Sequence, residues 1–178
     1  IATVNITSTT PTADFFNGSN GVVLDDTYDA YLLIVTGCIP VTDDAAAWLR
    51  IGTGGTPTYA TTGYVWSLAA MTLATNAADG SASDSAVVLT KNDSTEAVGN
   101  AAGENFEGQV RFSNPEVTSE FMNISYDTVY NRAVDGATVR AAGGGRYNTA
   151  GAITAVRFMF STGNISKGRF TLYGYRKA

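Results

Sequence analysis

The chain has no histidine, a single cysteine and few charged residues, and each scarcity removes a class of function. Serine and cysteine hydrolases lose their usual general base without histidine. A zinc site built from one thiol and carboxylates would lack its ordinary ligands. The lone Cys38 rules out an intramolecular disulfide. It follows the apolar run 32–35 and reads as a buried, inert thiol. No apolar run approaches the roughly 18–20 residues that a membrane-spanning helix needs. No signal-peptide pattern is visible, so membrane insertion is not expected. Ile1 in place of Met is read as trimming or processing, with a shaft or anchoring domain upstream.

The formal net charge of −5 gives no general reason to bind nucleic acid or an anionic membrane. Its distribution is uneven. Residues 1–120 carry three basic and fourteen acidic side chains, whereas residues 121–178 carry eight basic and two acidic. Either the two parts neutralise one another within one domain, or acidic and basic faces meet between identical subunits.

The remaining polar patterns are weak as chemistry. Ser166 and Lys167 are sequence neighbours and point to opposite faces of a strand. Some pair of acids is inevitable among so many, so a glycosidase pair has no distinguishing mark. Asp25, Asp26, Asp29, Asp43 and Asp44 lack the spacing of a calcium loop and read as turn carboxylates. Gly52–Gly55 and Gly143–Gly145 lack the Lys-Ser/Thr ending of a phosphate loop and read as turn glycines. Trp48, Tyr59, Tyr64 and Tyr147 lie near loops or face outward, and aromatics can stack on sugar rings, but most sandwich aromatics are core. No catalytic, metal, cofactor or binding residue is assigned, and no cofactor is expected.

What the chain does have is Thr, Ala, Gly and Tyr in alternating stretches separated by turn signals. In residues 153–176, Val156, Phe158 and Phe160 share one face of a strand, and Phe170 and Leu172 share one face of the next. The two read as a closing strand pair, broken at Thr162-Gly163-Asn164. Residues 28–36 are apolar on both faces, with Leu32 and Ile34 on one and Leu33 and Val35 on the other. Such a strand needs a second cover. Further strands are read at 3–7, 45–52 (Leu49 and Ile51 inward, Trp48 and Arg50 outward), 64–70, 86–90, 108–113 and 121–130. Asp135-Gly136 joins the last of these to 137–142 as a hairpin. Ile39-Pro40 reads as the start of a turn, 8–21, 75–85 and 143–145 as loops, and 96–98 as a helical turn. The sum is an all-β, antiparallel β-sandwich of about eight to ten strands, one domain over 1–178.

Residues 160–174, Phe-Ser-Thr-Gly-Asn-Ile-Ser-Lys-Gly-Arg-Phe-Thr-Leu-Tyr-Gly, resemble the last strands of jelly-roll domains on bacteriophage virion proteins. Residues 28–37 and 47–55 are similar to the early strands of the same domains. The resemblance implies a jelly roll exposed on a tail fibre, receptor-binding protein or head, with no enzymatic activity. It also implies a virion location, contacts with other virion proteins, attachment to a host-surface glycan or particle decoration, and a homotrimer. Leu33 and Val35 are then expected near the subunit interface, with Arg157 or Arg169 facing acids of a neighbour. The alternatives are a carbohydrate-binding module of a secreted bacterial protein or a fragment of a polysaccharide-degrading enzyme.

Overall fold

A computed structural model describes residues 1–93, 95–113 and 115–176. In chain order the strands are β1 (Ala2–Ile6), β2 (Ala13–Phe16), β3 (Tyr28–Pro40), β4 (Ala47–Thr53), β5 (Thr58–Tyr59), β6 (Tyr64–Met71) and β7 (Asn76–Asp84). They continue with β8 (Val87–Val88), β9 (Phe106–Ser113), β10 (Asn123–Asn131), β11 (Thr138–Tyr147), β12 (Ala155–Phe160) and β13 (Ile165–Arg176). The large sheet runs β1-β13-β3-β9-β10-β11-β6-β7, and the small one β2-β12-β4-β5 with β8 also on β4. All pairs are antiparallel. The molecule is a β-sandwich, with thirteen strands among the described residues where eight to ten are expected from sequence.

The pairing is nested: β3 with β13, β4 with β12, β6 with β11, and β9 with β10 innermost. The outer three of these pairs alternate between the large, small and large sheets, and the innermost pair lies in the large sheet. The final strands therefore do not pair with each other. β12 belongs to the small sheet and β13 to the large one, so residues 161–164 carry the chain between layers. Alternation reveals which face a strand buries and leaves its partner open.

The core forms where the layers meet. Phe158 of the small sheet lies 5.5 Å from Phe106 and 5.0 Å from Phe170 of the large sheet, measured between ring centres. Leu49, Ile51, Val156 and Leu172 are fully buried beside them. Cys38 is also fully buried, and burial raises its thiol pKa far above the ordinary range.

Several expectations need correction. Leu33 and Val35, expected near a subunit interface, are fully buried in this core, and Leu32 and Ile34 take the outward face. Ile39-Pro40 begins no turn, because β3 runs on to Pro40 with a bulge after Val35. Gly37 supplies the left-handed backbone there, with φ of 57°. β2 lies within the presumed loop 8–21, and β7 fills 75–85. Gly143–Gly145 form the middle of β11. No helical turn occurs at 96–98, where Val98 instead bridges Ala45 and Arg132. Arg157 pairs with Asp14 of its own chain.

Candidate functional site

Outward side chains of the large sheet form continuous rows because neighbouring strands share register. Tyr173 lies beside Leu32, Leu32 beside Arg111, Arg111 beside Ser125, Ser125 beside Gly144, and Gly144 beside Ser67. Two residues further along the strands, Asn123 lies beside Arg146 and Arg146 beside Val65. Each strand contributes alternate residues, so polar groups collect on this face while Tyr126, Phe112 and Leu68 fill the core.

Three shallow grooves merge along these rows. The first, about 270 Å³, lies between Leu32, Tyr175, Gln109, Arg111 and Ser125. The second shares Arg111 and Ser125 and adds Asn123. The third, about 410 Å³, shares Asn123 and extends over Gly144 and Ser67 to Arg146. The result is one trough across six strands, β13 to β6, spanning about 24 Å at the ordinary strand spacing. A neighbouring groove of about 360 Å³ lies over Ile34, Glu107, Val129 and Arg140.

Two neighbouring glycines of β11 face opposite ways under the trough, Gly143 toward the core and Gly144 outward. A Cβ on Gly143 would stand 2.6 Å from the Tyr126 hydroxyl, and closer still to the Ser67 carbonyl. Here β11 must pass close over its neighbours, which only glycine permits. Gly144 faces outward and leaves the floor low between Ser125 and Ser67. At one rim, the Arg146 guanidinium lies 4.6 Å from the ring of half-exposed Phe121. Its Nε is buried with no acceptor among the described residues.

The trough also holds one carboxylate, Asp127. Arg140 donates to it through Nε at 3.0 Å and Nη2 at 2.7 Å. These bonds hold the Asp127 carboxyl below its ordinary pKa, outweighing the opposing effect of burial. A glycosidase's general acid needs the reverse, a raised pKa that keeps its proton near neutrality.

The aromatics singled out from sequence lie elsewhere. Tyr64 is core, and its hydroxyl accepts from the Ile51 amide at 2.7 Å. Tyr147 packs on Tyr64 at 5.2 Å. Trp48 and Tyr59 lie on the small sheet beneath Arg50 and Arg157 respectively. The loop aspartates use their oxygens on backbone amides: Asp25 on Thr27, Asp43 on Asn100, Asp44 on Thr95 and Ala97. Sequence reasoning missed Gln109, Asn123, Ser125, Arg146 and Tyr175. Each reads alone as an ordinary outward residue, and only the strand order assembles them. No family model, curated protein or solved structure matches the chain.

Proposed function

We propose that this chain is a non-enzymatic, surface-exposed domain of a phage virion that attaches to a host-surface glycan through the trough on its large sheet. The trough itself carries the reading. It combines the apolar surface of Leu32 and Tyr175 with hydrogen-bonding side chains at Gln109, Arg111, Asn123 and Ser125. Saccharides offer the same mixture, with apolar ring faces and a rim of hydroxyls. The strands under it are rigidly paired on both sides, so the contact groups are held in place before the ligand arrives. A glycosidase acid in the trough is disfavoured by the ion-paired state of Asp127, which keeps its carboxyl charged.

The domain assembles as a homotrimer in this reading. The adjoining half of the same face suits the subunit contact, because Ile34 and Val129 line it and Met71 stands next to Arg140 in register. Val129 and Met71 are exposed large apolar side chains. The trough equally suits a carbohydrate-binding module of a secreted bacterial protein. Any sequence that precedes Ile1 in the full gene product would separate the two, a virion-docking segment favouring the first and a catalytic domain the second.

The test of attachment is adsorption of labelled protein to bacterial cells, compared with Tyr175→Ala/Gln109→Ala. Loss of adsorption in the variant with an unchanged far-UV spectrum supports the reading. Equal adsorption by both proteins contradicts it.

A further inference from the structure

Arg111 and Arg146 differ from Arg140 on the same sheet and from Arg132 just past the end of β10. Arg132 and Arg140 each give two hydrogen bonds to an aspartate. Among the described residues, the guanidinium of Arg111 has no ion pair or hydrogen bond, and that of Arg146 has only the ring of Phe121. Both line the trough. We propose that the trough takes an acidic polysaccharide, with Arg111 and Arg146 each engaging a carboxylate of its sugars. This rests on the reading of the trough as the glycan-binding face.

Three observations support the acidic ligand. Arg146 Nε is a buried donor without an acceptor, and native structures rarely leave such groups unmatched. The Phe121 ring, 4.6 Å from Cζ, restrains the guanidinium, and a restrained planar fork suits bidentate carboxylate binding. The only carboxylate that lines the trough among the described residues, Asp127, is already neutralised by Arg140. Arginine charge is therefore unopposed at both positions, although the chain as a whole is acidic.

The spacing favours a polymer over a small anion. Arg111 and Arg146 are two strands apart and offset by two residues in register, or about 12 Å between their backbones at ordinary sheet spacings. One compact anion cannot bridge them. A chain with repeated acidic sugars can reach both and lay its hydroxyls along Asn123 and Ser125 between them.

The test uses the whole chain with polygalacturonate, alginate and polysialic acid, their methyl-esterified forms, a neutral galactan, and poly-glutamate as a non-sugar polyanion. Affinity is measured for wild type, Arg111→Gln/Arg146→Gln, and Lys167→Gln as a control outside the trough. The account predicts that at least one acidic polysaccharide binds about tenfold or more tightly than its ester. That preference disappears in the double variant and survives in the control. Binding of acid, ester and neutral glycans alike would overturn the acidic ligand and leave the glycan-binding face standing. Equal binding of poly-glutamate would overturn the saccharide, and acid binding untouched in the double variant would overturn the arginine site. Failure of every glycan to bind would overturn both readings.

Discussion

Arg157 of β12 and Asp14 of β2 are register partners that share two hydrogen bonds, Nε to Oδ1 at 2.7 Å and Nη2 to Oδ2 at 2.6 Å. They come from the basic and acidic parts of the chain. Arg132 likewise joins Glu96 across that division, at 2.7 Å. At these positions the charge asymmetry is neutralised within one subunit. The Tyr59 ring, 3.7 Å from Arg157 Cζ, holds the guanidinium from its other side.

Asp14→Asn should therefore lower stability without dissociating subunits. The pair is about one-quarter to one-third exposed, so the expected loss is about 1 kcal/mol or less. Urea denaturation gives the loss, and sedimentation tests the unchanged mass. A change in mass with stability intact would mean that the pair acts between subunits.

The two faces of β3 should respond oppositely to charge. Leu33→Lys puts an ammonium into a fully buried site, where an unpaired charge is severely destabilising, and the variant is expected to lose its native β signal. Ile34→Lys projects outward and should stay folded while weakening self-association. Circular dichroism and sedimentation read both effects. A folded but dissociated Leu33→Lys would reverse the face assignment.

Gly143→Ala should cost about 1–3 kcal/mol, the range of an overpacked core site. The new methyl would press on the Ser67 carbonyl and the Tyr126 hydroxyl. A flexible loop at this position would accept alanine at no cost, so an unchanged denaturation midpoint would contradict β11.

Acid should weaken the fold through its aspartate–arginine pairs. Hydrogen bonds from Arg132 lower the Asp135 pKa to about 2, and those from Arg140 lower that of Asp127. A depressed folded-state pKa stabilises the fold fully above the unfolded value of about 4. That contribution is lost as pH falls through the folded value, so for Asp135 the window is about pH 4 to 2. Asp135→Asn should flatten the decline in melting temperature there. An Asp135 carboxyl that titrates near 4 in NMR would rule out the pair in solution.

Strands with strong alternation were legible in the sequence. Tyr64, Trp66 and Leu68 mark the inner face of β6, as Val110 and Phe112 do for β9. β7 was not legible, because Asn76–Asp84 is built of Ala, Ser, Gly, Asp and Asn, which carry little strand preference. Its pairing with β6 makes it a strand, helped by the bond from Trp66 Nε1 to Asp84 at 2.9 Å. Gly143–Gly145 looked like a loop for the same reason. The trough was hidden more deeply. Arg111 and Arg146 come together only because β10 lies between β9 and β11, and periodicity carries no information about strand order.

The most direct test of the proposed binding face is an amide NMR titration of the intact domain with polysaccharide from the bacterial surface identified in the adsorption assay. The account predicts that the largest shifts fall on Leu32, Gln109, Arg111, Asn123, Ser125, Arg146 and Tyr175, while Trp48, Arg50 and Arg157 on the opposite sheet stay unmoved. Shifts concentrated on the small sheet, or spread evenly over both faces, would contradict it.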